Sequence, residues 1–137
     1  MPRKFTSEKH VKKAVKDLLN KHDWFWWMPP ANGFGKSGVS DFNAIKNGVF
    51  LVIETKFGSN KPTPLQKAFI ESIYAQKGLG FVVNEKNLDA LAAWLESFDA
   101  NVDAVIQSGG GDPREAVDPD QGSRMLNATA VLTELLK

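Results

Sequence analysis

The first hundred residues alternate between helical and strand-like patterns, which predicts an α/β fold in which a small sheet packs against helices. Apolar residues recur at helical spacing in three segments, covering residues 7–22, 64–77 and 88–98. Between them lie apolar runs rich in β-branched and aromatic residues. Two of these runs, residues 41–46 and 49–56, flank an Asn-Gly dipeptide, which is a strong hairpin signal. We therefore expect a helix, a three-strand meander, a helix, a strand and a helix, in that order.

The first helix begins at an N-cap that is either Ser7 or Thr6. One stripe of this helix is apolar, and Glu8 lies on that stripe. A carboxylate in the first turn complements the helix dipole, which is the favoured interpretation of Glu8 unless other residues point to a site. The stripe itself is formed by Val11, Val15, Leu18 and Leu19.

An aromatic run, WFWWM at residues 24–28, follows the helix and predicts the first strand, which two prolines terminate. Large aromatic side chains of this kind can stack on unpaired nucleic-acid bases. Burial is the commoner fate of such residues, so we expect three tryptophans to pack in the core, namely Trp24, Trp26 and Trp27.

The hairpin turn sets the register of its two strands. If Asn47 and Gly48 form a two-residue loop, Asp41 lies opposite Glu54, and Lys56 points to the same face of the sheet. Facing carboxylates repel each other unless a positive charge lies between them. That charge is either Lys56, in a salt-bridge cluster, or a divalent cation held by the carboxylates. The hairpin geometry favours neither alternative.

A Thr-x-x-Gln capping box begins the second helix, with Thr63 as N-cap and Gln66 at the third helical position. The helix is expected to end at Gly78. A short buried strand follows over residues 81–83, and Asn87 caps the third helix.

Composition changes near residue 100 and divides the chain into a domain, residues 1–99, and a tail, residues 100–137. The first part of the tail is rich in Gly, Pro and Asp, which is typical of a linker. Its end predicts a short amphipathic helix, which has to dock on its own domain or on a partner subunit because so short a helix is marginal alone. The apolar positions of this helix are Leu126, Val131, Leu132, Leu135 and Leu136.

Bulk composition limits the class of protein. The chain has 137 residues, of which 42% are hydrophobic and 24% charged, as expected of one globular domain. It contains no cysteine, which excludes disulfides and thiolate metal sites. The basic N-terminus lacks the apolar core of a signal peptide, and no window reaches the roughly 18 apolar residues of a membrane span. We expect a cytoplasmic protein that does not contact a membrane.

Charge is divided unevenly along the chain. Residues 1–67 contain 12 Lys and Arg against 5 Asp and Glu, whereas residues 68–137 contain 5 against 11. The basic half is either a footprint for a polyanion such as DNA or a solvated helix face, and charge alone favours the solvated face. The Gly35-Lys36-Ser37 sequence is not a P-loop, because proline stands where that motif needs its first glycine.

The hairpin residues form a recognisable pattern: Asp41 is followed, after twelve residues, by Glu54-Thr55-Lys56. This spacing resembles the Asp…Glu-x-Lys pattern of the PD-(D/E)XK nuclease superfamily, and within it the VRR-NUC type and the related Holliday-junction resolvases. The predicted element order also agrees with the core of that superfamily, a restriction-endonuclease-like fold.

Two further residues extend the resemblance, Gln66 on the second helix and Glu8 on the first, where some members place another acid. The similarity covers about residues 5–98. Ser40 departs from it, because the family usually has proline at this position.

The resemblance implies a DNA endonuclease that hydrolyses phosphodiester bonds with Mg²⁺ or Mn²⁺. Asp41 and Glu54 would ligate the metal, with the Thr55 backbone carbonyl as a further ligand and Glu8 as an outer or second-metal ligand. Lys56 would orient or help to deprotonate the attacking water. A fourth catalytic residue, Gln66, would position the water or a phosphate, unless it serves only in the capping box.

The same resemblance implies DNA contacts from the glycine-rich loop before the hairpin, through Lys36, Ser37 and the backbone amide of Gly38. Lys12 and Lys16 would extend this track, or alternatively face solvent. Cutting both strands of a branch requires two active sites, so we expect a homodimer. As in phage-like resolvases, it would act on branched DNA in repair or recombination. The alternative is a non-catalytic nucleic-acid-binding module that keeps the fold.

Overall fold

The computed structural model describes residues 5–30 and 38–100. Within these residues the elements follow the predicted order, so the α/β class is confirmed. The predicted loop contacts at residues 31–37 and the predicted C-terminal helix lie outside the described residues. The elements are α1 (Glu8–Lys21), β1 (Phe25–Trp27), β2 (Phe42–Lys46), β3 (Val49–Thr55), α2 (Pro64–Ala75), β4 (Leu79–Val83) and α3 (Leu88–Ala100).

The four strands form one mixed sheet in the order β1-β2-β3-β4. The first three are an antiparallel meander, whereas β4 pairs parallel to β3 after the chain crosses over through α2. Parallel strands end at the same edge of a sheet, and Thr55 of β3 accordingly pairs with Val83 of β4. The crossover therefore places the end of the hairpin beside the end of a second strand.

The hairpin has the register that its turn predicts. Phe42 pairs with Ile53 and Lys46 pairs with Val49. Asn47 and Gly48 both have positive φ, 51° and 79°, as a two-residue turn of the primed type requires. Continuing the same register by one residue sets Asp41 opposite Glu54, as predicted.

Helices α1 and α3 cover one face of the sheet, where the apolar core lies. Trp94 of α3 packs edge-on against Phe81 of β4, with ring centroids 5.1 Å apart. Trp24, just before β1, completes this aromatic cluster, 5.0 Å from Phe98. Core packing is therefore confirmed for Trp24, which is fully buried between the two helices and the sheet.

The opposite face is covered unevenly. Helix α2 packs on the β3–β4 half, where a Cβ atom on Gly80 would lie 2.9 Å from a methyl of Ile70 and 3.1 Å from Val52. Over β1 and β2, by contrast, Trp27 is 42% exposed, so the prediction that it packs in the core is wrong. The short strand β1 alternates its side chains, which turns Trp26 toward Phe42 in the core and Trp27 away from it.

None of the helices that the structure describes is long and apolar enough to span a bilayer.

Candidate functional site

Two carboxylates meet where the hairpin ends. Asp41 stands immediately before β2, and its position follows from the hairpin register. Thr55, the last residue of β3, donates two hydrogen bonds to Oδ2 of Asp41, from its backbone amide at 2.9 Å and its hydroxyl at 2.6 Å. Thr55 is itself buried. The Asp41 carboxylate is therefore held against β3 by the residue that follows Glu54.

Glu54 is the buried member of the pair, with 1% of its surface exposed. Its Oε2 atom has no hydrogen-bond partner among the described residues. Burial, the charge of Asp41 and the hydrogen bond to Asp41 raise the pKa of Glu54 to about 9, although the charge of Lys56 opposes this. A buried carboxyl of this kind is stabilised by a proton or by a cation. Without a cation, Glu54 holds a proton at neutral pH.

A positively charged side chain of the protein itself, Lys12 of α1, lies beside the two carboxylates. Its Nζ is 3.3 Å from Glu8 Oε2 and 3.8 Å from Asp41 Oδ1. Burial lowers the pKa of Lys12, but the charges of Asp41, Glu8 and Glu54 and the hydrogen bond to Glu8 outweigh it, so the pKa is raised. The i,i+4 spacing of Glu8 and Lys12 is visible in the sequence. Their approach to the hairpin was missed, because it depends on where α1 packs.

Lys56 lies two residues beyond Glu54, and its backbone amide donates to the Val83 carbonyl at 2.9 Å. Its charge acts on Glu54. The ion pair that the structure shows to Asp41 nevertheless comes from Lys12. The sequence offered two ways to neutralise the carboxylates, a salt-bridge cluster with Lys56 or a divalent cation. In the described residues Lys12 of α1 takes the place of Lys56 in the ion pair and neutralises the carboxylates in part.

Gln66 occupies the capping box predicted from the sequence. Its side-chain oxygen accepts a hydrogen bond from the Thr63 amide at 2.8 Å, and the Thr63 hydroxyl accepts one from the Gln66 amide at 3.2 Å. The capping role is confirmed. A further role of Gln66 on water or phosphate stays a prediction.

Gly38 fixes the approach of the chain to Asp41. Its φ is +76°, and a Cβ atom there would lie 2.2 Å from the Leu65 carbonyl oxygen. Glycine is needed because the backbone passes directly over the start of α2. The residue predicted to contact DNA through its amide thus also has a structural role, which its position before the hairpin did not reveal.

The other predicted site residues are distributed as follows. Lys36 and Ser37 lie outside the described residues, and Lys16 is half-buried on α1. Within residues 5–30 and 38–100, no three His, Asp or Glu side chains form a metal-binding group. Lys12 bridges Glu8 to Asp41, the charge of Glu8 also raises the pKa of Glu54, and the role of Glu8 as an outer metal ligand stays a prediction.

Ser40 lies immediately before Asp41, where the PD-(D/E)XK pattern usually has proline. It is 1% exposed, and its hydroxyl has no hydrogen-bond partner in the described part of the chain. Three buried side-chain polar atoms lack partners among the described residues, and two of them, Ser40 Oγ and Glu54 Oε2, belong to residues at or beside the carboxylate pair, whereas the third is Trp24 Nε1.

The sequence matches no known protein-family model, and no curated protein matches it.

Proposed function

We propose that the protein is a metal-dependent DNA endonuclease that hydrolyses phosphodiester bonds, with Asp41 and Glu54 as its metal ligands. The observation that carries this proposal is the buried oxygen Oε2 of Glu54, which lacks a hydrogen-bond partner among the described residues and belongs to a carboxyl facing a second one. Burying such a pair is costly unless something positive completes it. Mg²⁺ and Mn²⁺ suit all-oxygen sites of one or two carboxylates.

The residues present fit such an ion. Asp41 and Glu54 would hold it, together with the backbone carbonyl of Thr55. When bound, the ion would supply Lewis acidity toward a phosphate and a water of lowered pKa. Thr55 occupies one oxygen of Asp41 with two hydrogen bonds, which leaves Oδ1 as the oxygen turned toward Lys12 and available to a cation.

Lys56 would serve the reacting phosphate. It continues β3 on the same face as Glu54, and its ammonium is close enough to act on that carboxyl. A cation at this place would orient the attacking water and offset the charge that develops on the phosphate oxygens. The hairpin and the parallel strand β4 support it, because the Lys56 amide is tied to Val83.

The fold supports the same proposal. A helix, a meander of three strands, a helix, a strand and a helix, in this order, are what the resemblance to PD-(D/E)XK nucleases implies. Fold alone does not establish an activity, because one fold carries many functions. The carboxylate pair is therefore the stronger argument.

One observation favours a second function, a non-catalytic nucleic-acid-binding module. Lys12 already provides a positive charge within 4 Å of Asp41, and its own pKa is raised. In this case a proton on Glu54 and the ammonium of Lys12 would neutralise the site permanently. The basic half of the chain, residues 1–67, would bind DNA without cutting it.

Cleavage assays separate the two functions. A four-way junction, a flap and a linear duplex would be incubated with the protein and Mg²⁺ or Mn²⁺. We expect cleavage, and a loss of at least about a hundredfold in rate for Glu54→Gln, Asp41→Asn and Lys56→Met, since each removes a charge that acts on the transition state. Binding of Mn²⁺, followed by its paramagnetic resonance spectrum, would be lost in Glu54→Gln and Asp41→Asn and kept in Lys56→Met.

Glu96→Gln is the matched control, because Glu96 is an exposed acid on α3 and loses the same charge. It should cleave like the wild type. A wild-type protein that binds DNA, does not bind Mn²⁺ and does not cleave DNA would establish the binding module instead. Cleavage that survives all three site variants would show that the reaction occurs elsewhere.

A further inference from the structure

An apolar surface lies on the part of the sheet that α2 leaves uncovered. Phe25 is 68% exposed, Trp27 42% and Ile45 39%. The register places Phe25, Ile45 and Phe50 side by side across three strands, on one face. Trp27 joins them through ring contacts, 5.9 Å from Phe25 and 6.4 Å from Phe50. We call these four residues the open face. A contiguous exposed apolar surface of this kind marks a docking site.

The described chain ends at the hairpin end of the sheet, on the face opposite the open face. Asp99, next to the last residue of α3, binds Lys46 at 2.6 Å and His22 at 2.6 Å. Lys46 follows Ile45 in β2, so α3 is tied to the hairpin end of the sheet, where the row containing Ile45 lies. His22 lies just before the edge strand β1, so a chain that continues from α3 would pass this edge to reach the open face.

The sequence of those residues supplies a partner for it. Residues 125–136, MLNATAVLTELL, hold apolar residues at helical spacing with polar residues between them. We call this stretch the C-terminal segment. About 24 residues precede it after α3, and a Gly-rich chain of that length spans roughly 27 Å. A four-stranded sheet is about 14 Å wide and packed layers lie about 10 Å apart, so the segment can pass the β1 edge and reach the open face.

A cavity elsewhere on the domain is an alternative docking site for the C-terminal segment. A cavity of about 560 Å³ between α1 and α3 is lined in part by Phe5, Leu18 and Leu88. Four of its nine lining residues are charged, however, namely Asp17, Lys21, Glu85 and Asp89. An amphipathic segment with several leucines gains more from a surface without charged residues, because charged side chains lose hydration when an apolar segment covers them.

We propose that the C-terminal segment docks with its apolar side chains on the open face of β1, β2 and β3. Nucleic-acid bases and a second copy of the chain are the other possible occupants. Bases would stack on the aromatic rings but would gain little from Ile45. The segment matches both the aromatic and the aliphatic parts and is tethered to the same domain within reach of them, which raises its effective concentration.

Chemical labelling of a single engineered cysteine tests this directly, because the chain has no native cysteine. The probe is Ile45→Cys in the full chain, labelled with a water-soluble maleimide. We expect its rate to be at least about tenfold below that of Ala75→Cys, an exposed site on α2, as a docking free energy of about 1.4 kcal/mol leaves the face open one-tenth of the time. The rate should not depend on protein concentration.

Two variants of the segment identify what covers the face. Adding Leu132→Asp and Leu135→Asp to the probe should raise its labelling rate to that of Ala75→Cys. The matched control is Asn127→Asp with Thr133→Asp, which adds the same charges at polar positions and should leave the rate low. Circular dichroism of each variant checks that the described domain remains folded.

The other outcomes overturn the proposal. Rapid labelling of Ile45→Cys in the unaltered full chain would show that the face is open. Slow labelling that persists with the two leucine substitutions, and that weakens on dilution, would assign the face to a second copy. Protection that arises only when a single-stranded oligonucleotide is added would assign it to nucleic acid.

Discussion

Thr55 donates both its backbone amide and its hydroxyl to Oδ2 of Asp41, so the residue after Glu54 holds the carboxylate that Glu54 faces. Because Thr55 is the last residue of β3 and pairs with Val83, this contact ties the start of β2 to the parallel half of the sheet. The orientation of Asp41 therefore depends on the completed sheet and not on the hairpin alone.

Removing the Thr55 hydroxyl should loosen Asp41. Thr55→Val keeps the shape of the side chain and the hydrogen bond from the backbone amide. It loses the 2.6 Å hydrogen bond from the hydroxyl. We expect a fall of about 1–2 kcal/mol in the free energy of unfolding, measured by urea denaturation, because a partly buried carboxylate loses a hydrogen-bond donor. Thr55→Ser restores the hydroxyl and should recover most of this loss. Equal stability of the valine variant and the wild type would show that the hydroxyl contributes nothing.

Glu54 makes the metal-free protein sensitive to alkali. Its pKa is raised, from an ordinary value of 4.5, to about 9, so the folded state binds more protons than the unfolded state between these values. The contribution of Glu54 to stability is thus complete below pH 4.5 and is lost as pH rises through about 9. Glu54→Gln should be more stable than the wild type at pH 8 in the presence of a chelator, by at least about 1 kcal/mol.

Thermal unfolding from pH 5 to pH 9 measures this difference. Glu96→Gln, which changes an exposed acid on α3, should show the same pH dependence as the wild type. A wild type and a Glu54→Gln variant that lose stability in parallel with rising pH would contradict the assignment of the proton to Glu54.

Lys12 should act as a built-in counter-ion. Lys12→Met removes the ammonium that lies 3.3 Å from Glu8 and 3.8 Å from Asp41. Without metal, we expect the free energy of unfolding of Lys12→Met to be about 1 kcal/mol or more below that of the wild type, because partly buried carboxylates lose their partner. If a cation binds at the pair, Mn²⁺ should raise the melting temperature more in Lys12→Met than in the wild type.

Lys13→Met provides the control for this experiment. Lys13 forms an i,i+4 ion pair with Asp17 on the same helix, and its side chain is largely exposed. Such exposed pairs contribute little, so the variant should unfold like the wild type and respond equally to Mn²⁺. A Mn²⁺ response that is the same in all three proteins would mean that Lys12 and the cation do not share a site.

Gly38 should tolerate no side chain. In Gly38→Ala the new Cβ would meet the Leu65 backbone at 2.2 Å, which no side-chain rotation can relieve. Gly58 is a matched control, because its φ is also positive, at 64°, while a Cβ there has open space. Gly58→Ala therefore reports the strain of φ alone, about 1 kcal/mol. We expect Gly38→Ala to cost about 1–3 kcal/mol more, by urea denaturation, and equal costs would exclude the clash.

Local chemistry explains which parts of the site could be predicted. The Asn47-Gly48 turn sets the register of the hairpin, and the register sets Asp41 opposite Glu54, because both steps involve near neighbours in the chain. The capping box of Thr63 and Gln66 is likewise closed within one helical turn. These predictions required no knowledge of how the elements pack.

The sequence by itself thus determined the element order, the hairpin register and the pairing of the two carboxylates. Tertiary structure decided the rest: that Lys12 reaches Asp41, that Thr55 holds it, and that Trp27 faces outward while Trp24 is buried. The reason is physical. Periodicity and turn chemistry act between residues a few positions apart, whereas burial and long-range ion pairs depend on which face each helix covers, and α2 covers only half of the second face.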